Sequence, residues 1–129
     1  DLIFRPEPVR VEGVVVQWSA VELSGLHVDP MGVRARAVVD CTGHDAELLA
    51  LAASRIPGLE LELRGFKSMW AHKGEEEVVE ATGRVCPGLY VAGMAVATLY
   101  GLPRMGPIFG GMLLSGRKVA EEVLKDLSG

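Results

Sequence analysis

The chain has 129 residues, of which 49% are hydrophobic, and a net charge of -4. This is enough apolar material for one core and too much for disorder, and the charge has the wrong sign for nucleic acid or an anionic membrane as main partner. The 5% aromatic content leaves few platforms for stacking bases, and no apolar run approaches the roughly 18 residues that cross a bilayer.

Asp1 to Arg5 reads as a strand, broken by Pro6-Glu7-Pro8. Val11 to Leu23 is the next strand-like run, with β-branched and aromatic bulk at Val14, Val15, Val16 and Trp18 and a turn or bulge expected at Gly13. A hairpin or meander is the simplest arrangement of these pieces. The chain opens on Asp1 without a methionine, which suggests an excised fragment. Ser24 to Gly32 is loop by its glycines and proline, and Arg34 to Cys41 is a strand ending at Thr42-Gly43-His44-Asp45. Asp45 is placed to cap a helix over Ala46 to Arg55, which Pro57-Gly58 stops. Leu59, Leu61 and Leu63 alternate with Glu60 and Glu62, the pattern of a half-exposed edge strand. Arg64 to Gly74 reads as irregular, Glu75 to Glu77 as solvated surface, and Val78 to Ala81 as either a short strand or a helical turn.

The stretch from Gly88 onward carries the clearest signal. Leu89 to Ala92 suits a strand covered on both faces. Gly93, Gly101, Pro103, Gly106 and Pro107 then punctuate a loop. A long helix is expected from about Pro107, with Phe109, Met112, Leu113, Gly116, Val119, Ala120, Val123 and Leu127 facing inward and Arg117, Lys118, Glu121, Glu122 and Lys125 outward. Gly110, Gly111 and Gly116 each cost roughly 1 kcal/mol in a helix relative to alanine, so close approach to a backbone or a ligand is expected there. The helix start also offers a seat for a phosphate or carboxylate. The order of elements is α/β, with a closing strand–helix unit, and a ligand is expected outside the carboxyl ends of the strands.

Few residues carry chemistry. His27 and Asp29 share a loop, and His44 follows a strand end; an aspartate plus a histidine is a partial shell for divalent iron. Arg104 can fork two hydrogen bonds to a carboxylate, and its position beyond another strand lets it share a crevice with His44. His72 sits in a polar stretch and reads as exposed. Cys41 and Cys86 form no CxxC pair and no metal spacing, and no leader segment is visible, so a reducing cytoplasm is expected. No GxGxxG turn, P-loop or GxSxG occurs.

The blocks Trp18-Ser19-Ala20-Val21-Glu22, Leu26-His27-Val28-Asp29-Pro30, Thr42-Gly43-His44-Asp45, Gly88 to Val96 and Arg104 to Gly116 stand in an order that carries a resemblance. The chain resembles the C-terminal half of the thiamine thiazole synthases, in their archaeal, sulfide-dependent branch, some of whose members have been labelled ribulose-1,5-bisphosphate synthetases. The Arg104-Met105-Gly106-Pro107 block is the most specific part.

The resemblance implies the C-terminal part of a flavin-reductase-like, Rossmann-type dinucleotide-binding fold, with a β-meander or hairpin segment at the N-terminus. Residues 1–129 would form a single partial domain lacking the glycine-rich half. It implies a pentosyltransferase-type enzyme that uses NAD as substrate and condenses its ADP-ribose part with glycine and free sulfide into an adenylated carboxy-thiazole. Fe(II) is the implied cofactor, and a ring or octamer the implied assembly. Carried over by position, Asp29 and His44 match iron ligands, and Arg104 matches the residue that binds the glycine carboxylate. His27, Val28, Asp29, Met94, Met105 and Gly106 match positions that touch NAD or its product, and the His27–Asp29 loop is implied to complete a neighbouring subunit's site. His27 stands where eukaryotic members sacrifice a cysteine sulfur, so repeated turnover on free sulfide is implied. Cys86 stands where the family has an aromatic residue before Pro87, and Arg64 to Lys73 departs from the family pattern. A flavin- or nicotinamide-dependent oxidoreductase fragment, and a non-catalytic assembly or binding domain, are the alternative readings.

Overall fold

The computed structural model describes all 129 residues. Three strands, β1 (Leu2–Pro6), β2 (Val9–Val16) and β3 (Met31–Arg34), form an antiparallel meander. The bulge expected around Gly13 is present: Ile3 pairs with Gly13 and Phe4 with Val11, leaving Glu12 as the extra residue. A Cβ on Gly13 would lie 2.2 Å from the Val33 carbonyl oxygen, so only glycine lets β3 pair this closely.

A helix, α1 (Ser19–Ser24), replaces the second half of the run expected to be strand, and it stops at Gly25 in the left-handed conformation. None of its residues is buried. The expected strand over Arg34 to Cys41 is likewise two strands. Arg34 ends β3, and a separate β4 (Val38–Asp40) starts the second sheet.

The second sheet has the order β4-β7-β6, with β6 (Gly83–Cys86) antiparallel and β4 parallel to β7 (Leu89–Val91). All three β7 residues are buried, as a strand covered on both faces should be. The meander is joined to this sheet at Pro87-Gly88. Val11 N–H donates to the Pro87 carbonyl at 2.9 Å, and Val38 N–H to the Gly88 carbonyl at 2.8 Å. At Gly88, φ is 82° and an added Cβ would lie 2.0 Å from the Val11 oxygen.

Helix α2 (Glu47–Arg55) follows β4. Leu59, Leu61 and Leu63 do turn half inward against the core, as the alternation requires, yet the segment joins no sheet. The stretch expected to be irregular contains β5 (Lys67–Met69) and the start of α3 (Ala71–Ala81), which settles Val78 to Ala81 as helix. The expected glycine-rich loop after β7 contains α4 (Met94–Tyr100) and β8 (Pro103–Arg104), the latter paired in parallel with β5. Ala95 to Leu99 are all buried, and a helix covered all round carries no amphipathic period to read.

The last helix, α5 (Gly110–Ser128), begins three residues beyond Pro107 and is turned about its axis relative to expectation. Met112, Val119, Val123 and Leu127 turn inward as expected, but so do Gly111 and Ser115, while Phe109 and Leu113 are 70% and 74% exposed. Polar side chains explain the rotation. Ser115 Oγ accepts from Gly93 N–H at 2.9 Å and pairs with Thr82 Oγ1 at 2.5 Å. Lys118 Nζ donates to the Val79 and Glu80 carbonyls at the end of α3, and Glu122 accepts from Arg84 N–H at 3.0 Å. Close approach is needed at Gly111, where a Cβ would meet Met105 Sδ at 2.5 Å, but Gly116 faces open space.

Tyr90 ties β7 to α5 by donating to Asp126 Oδ2 at 2.6 Å. Burial, reinforced by that hydrogen bond, pushes the phenol up to about 12. The neutral form is the one the fold favours. Its contribution is therefore complete below the ordinary tyrosine value of about 10 and is lost as pH rises through about 12. The urea midpoint should fall across that window, and Tyr90→Phe should remove this component; an unchanged alkaline slope in the variant would show that another group is responsible.

Candidate active site

The parallel pair β4–β7 directs two chain turns to the same edge of the sheet, the carboxyl side where α/β proteins place ligands. The turn after β4 is built on Asp40, which is fully buried. Its Oδ1 accepts from Thr42 N–H at 2.9 Å and Thr42 Oγ1 at 2.6 Å, and its Oδ2 accepts from Leu49 N–H at 2.9 Å. Thr42 Oγ1 in turn accepts from Glu47 N–H at 2.8 Å. Asp40 and Thr42 thus satisfy the start of α2, and Asp45, expected as its cap, makes no such bond. Ala46 precedes the helix with φ 43°, a left-handed conformation costly for a residue with a Cβ.

This framework displays His44 in a single 3-10 turn, Gly43–Asp45, whose His44 carbonyl accepts from Thr98 Oγ1 at 2.6 Å. Burial first, and then the charge of Arg104, lower the imidazole pKa below the usual histidine value, against a smaller opposing effect of Asp45. His44 therefore favours its neutral form. Its Nδ1 is the one buried side-chain nitrogen or oxygen without a hydrogen-bond partner, a position that costs about 1–3 kcal/mol if nothing occupies it.

Arg104 comes from β8 and is exposed. Its guanidinium carbon lies 5.4 Å from the centroid of the Phe66 ring, and the same ring lies 4.5 Å from the His44 ring at an interplanar angle of 54°. The two residues expected to share a crevice therefore flank one aromatic side chain. Arg104 makes no ion pair within the chain, which leaves its fork free for an anion.

The remaining predicted positions are more scattered. His27, Val28 and Asp29 are exposed on the loop between α1 and β3, held by Gln17 Nε2 donating to the Val28 carbonyl at 2.7 Å. Neither His27 nor Asp29 has a side-chain partner in this chain, and no three His, Cys, Asp or Glu residues converge within it. Met94 is half-buried at the start of α4, beside Gly93. Met105 is fully buried in the core, so it can present only backbone to a ligand. Gly106 lies beneath Met69, whose sulfur is 2.5 Å from where a Cβ would stand. His72 is exposed, as expected, and faces Glu76 at 3.3 Å.

Sequence reasoning missed Phe66 and Asp40. Phe66 fell in the stretch that departs from the family pattern, and nothing around it signals a site. Asp40 had a signal: a carboxylate following Val38-Val39 in a strand expected to be covered must be bonded if it is buried.

As an iron-binding arrangement the residues fit in part. His44 offers a buried nitrogen with an unused lone pair or proton, and Asp29 a hard oxygen on an exposed loop. Cys41, three residues before His44, is held above the ordinary thiol range by burial and then by the Asp40 carboxylate, which disfavours the reactive thiolate.

Comparison with known proteins identifies the family. A description of the Thi4 family matches residues 1–109. Thiamine thiazole synthases of Pyrobaculum calidifontis and Archaeoglobus fulgidus are 60% and 61% identical over 128 and 127 residues, covering 99% and 98% of this chain but 49% and 48% of their own length. A crystal structure of Thermovibrio ammonificans THI4 superposes with a TM-score of 0.90 at 44% identity, covering 100% of this chain and 50% of that one. The chain spans about half the length of these relatives, and no helix in it is long and apolar enough to cross a membrane. It belongs to the Thi4 family and corresponds to the C-terminal half of the family's longer members.

Proposed function

We propose that this chain is the C-terminal half of a sulfide-dependent thiamine thiazole synthase, in which NAD-derived ADP-ribose, glycine and free sulfide are condensed into an adenylated carboxy-thiazole. The observation that carries the reading is the 56–61% identity to thiamine thiazole synthases together with histidine at position 27. An imidazole has no sulfur to give, so sulfur must come from outside, and the enzyme turns over repeatedly.

The roles follow from the side chains. Arg104, with its fork unpaired, clamps the glycine carboxylate. His44, kept neutral by burial and by Arg104, presents a nitrogen donor beside it. His44 and Asp29 would hold Fe(II), which when bound supplies a Lewis acid and a template for sulfide. Gly106 and the Met105 backbone, with Met94, His27 and Val28, line the NAD-derived moiety. By the family resemblance, the His27–Asp29 loop, exposed in this half, is donated to a neighbouring subunit's site in a ring or octamer. The dinucleotide-binding fold is completed by an amino-terminal half carrying the glycine-rich turn, and the setting is cytoplasmic.

The test is an anaerobic assay of a full-length enzyme carrying this half, supplied with Fe(II), NAD, glycine and sulfide. The expected result is several adenylated thiazoles per chain, dependent on added sulfide. Product formed without sulfide, or at most one per chain, would overturn the sulfur assignment; no thiazole at all would overturn the function.

A further inference from the structure

We propose that Phe66 is a positioning residue that fixes the spacing between the His44 imidazole and the Arg104 guanidinium. The proposal rests on the thiazole-synthase reading above and goes beyond it, because that reading assigns Phe66 no role.

Three observations carry it. The first is that one ring touches both groups. Its centroid is 4.5 Å from that of His44, in a tilted arrangement favoured by aromatic quadrupoles, and 5.4 Å from the Arg104 guanidinium carbon, within cation–π range. The second is that neither side chain has a polar tether. No hydrogen bond or ion pair in the chain engages the His44 ring or the Arg104 fork, so no polar contact competes with Phe66 in setting their spacing.

The third is that the backbone on either side of Phe66 is anchored to the elements that carry the two groups. Gly65 N–H donates to the Thr98 carbonyl and Lys67 N–H to the Leu102 carbonyl, each at 2.8 Å. Thr98 is the residue whose hydroxyl holds the His44 carbonyl, and Trp70 N–H donates to the carbonyl of Arg104 itself at 3.1 Å. The segment from Gly65 to Trp70 therefore straps the His44 turn to the Arg104 strand, with the ring between them. Phe66 is 43% exposed in this half of the fold, so its ring is not enclosed by this chain alone.

The test compares Phe66→Leu and Phe66→Tyr in the full-length enzyme. Leucine keeps apolar bulk and removes the aromatic face; tyrosine keeps the face. Phe66→Leu should raise the KM for glycine about tenfold, with the KM for NAD and the thermal midpoint nearly unchanged, and Phe66→Tyr should restore the wild-type value. Independently of turnover, the His44 ring protons of the iron-free protein should show a ring-current shift that Phe66→Leu abolishes and Phe66→Tyr keeps. A productive enzyme whose Leu variant retains the wild-type glycine KM overturns this proposal alone, as does a His44 signal indifferent to the substitution. An enzyme that makes no thiazole, with the ring-current contact intact, overturns the functional reading and the proposal with it.

Discussion

Replacing His44 by alanine in a full-length enzyme should lower multiple-turnover thiazole formation by more than ~100-fold, since even residues that only support a metal's ligands cost 10–100-fold when removed. Iron retained after gel filtration should fall in parallel. The fold should survive, because the bond that secures this turn is made by the His44 carbonyl, which alanine keeps. The change even removes the one buried polar atom without a partner. A thermal midpoint equal to or above wild type, with turnover lost, is therefore the expected pair of results. Turnover that survives His44→Ala would remove His44 from the iron shell and leave Arg104 as the supported part of the site.

Asp40→Ala should have the largest effect on stability, about 3 kcal/mol by urea denaturation. The side chain is fully buried and accepts three hydrogen bonds, two of them from backbone N–H groups. Truncation leaves Leu49 N–H buried and unpaired, takes the partner from Thr42 N–H, and frees the Thr42 hydroxyl that holds Glu47 N–H. The damage is local to the turn that displays His44, so residual activity should fall further than the unfolded fraction explains. A loss under about 1 kcal/mol would mean that water or a rearranged Thr42 replaces the carboxylate.

The two halves of the chain were unequally legible in the sequence. β7 and α5 could be read because a covered strand and a long helix leave strong apolar signatures, and β1 and β2 because proline and β-branched residues bracket them. Helix α4 could not be read: Ala95 to Leu99 are buried on every side, so the helical period vanishes and the flanking glycines suggest loop. The facing of α5 was read correctly at Met112, Val119 and Val123 and misjudged elsewhere because apolarity was taken as the guide, while Ser115, Lys118 and Glu122 turn inward to satisfy backbone groups of α3, β6 and the Gly93 turn. The Leu59 to Leu63 alternation reports burial without sheet pairing, since period two follows from any extended chain lying on a core. In the site, proximity of His44 and Arg104 was inferable from strand ends alone. The ring that joins them was not, because no spacing rule links position 66 to either.

The junction at Pro87-Gly88 bears on how such subunits would associate. Backbone hydrogen bonds from Val11 and Val38 meet there, and the glycine allows the meander to lie directly against the sheet without an intervening side chain. The meander, from whose β2 and β3 the loop bearing His27 and Asp29 extends, is thus braced against the sheet. A neighbour docking on the meander would meet it and the sheet as one body, so no freedom between the two sheets would be surrendered in the contact.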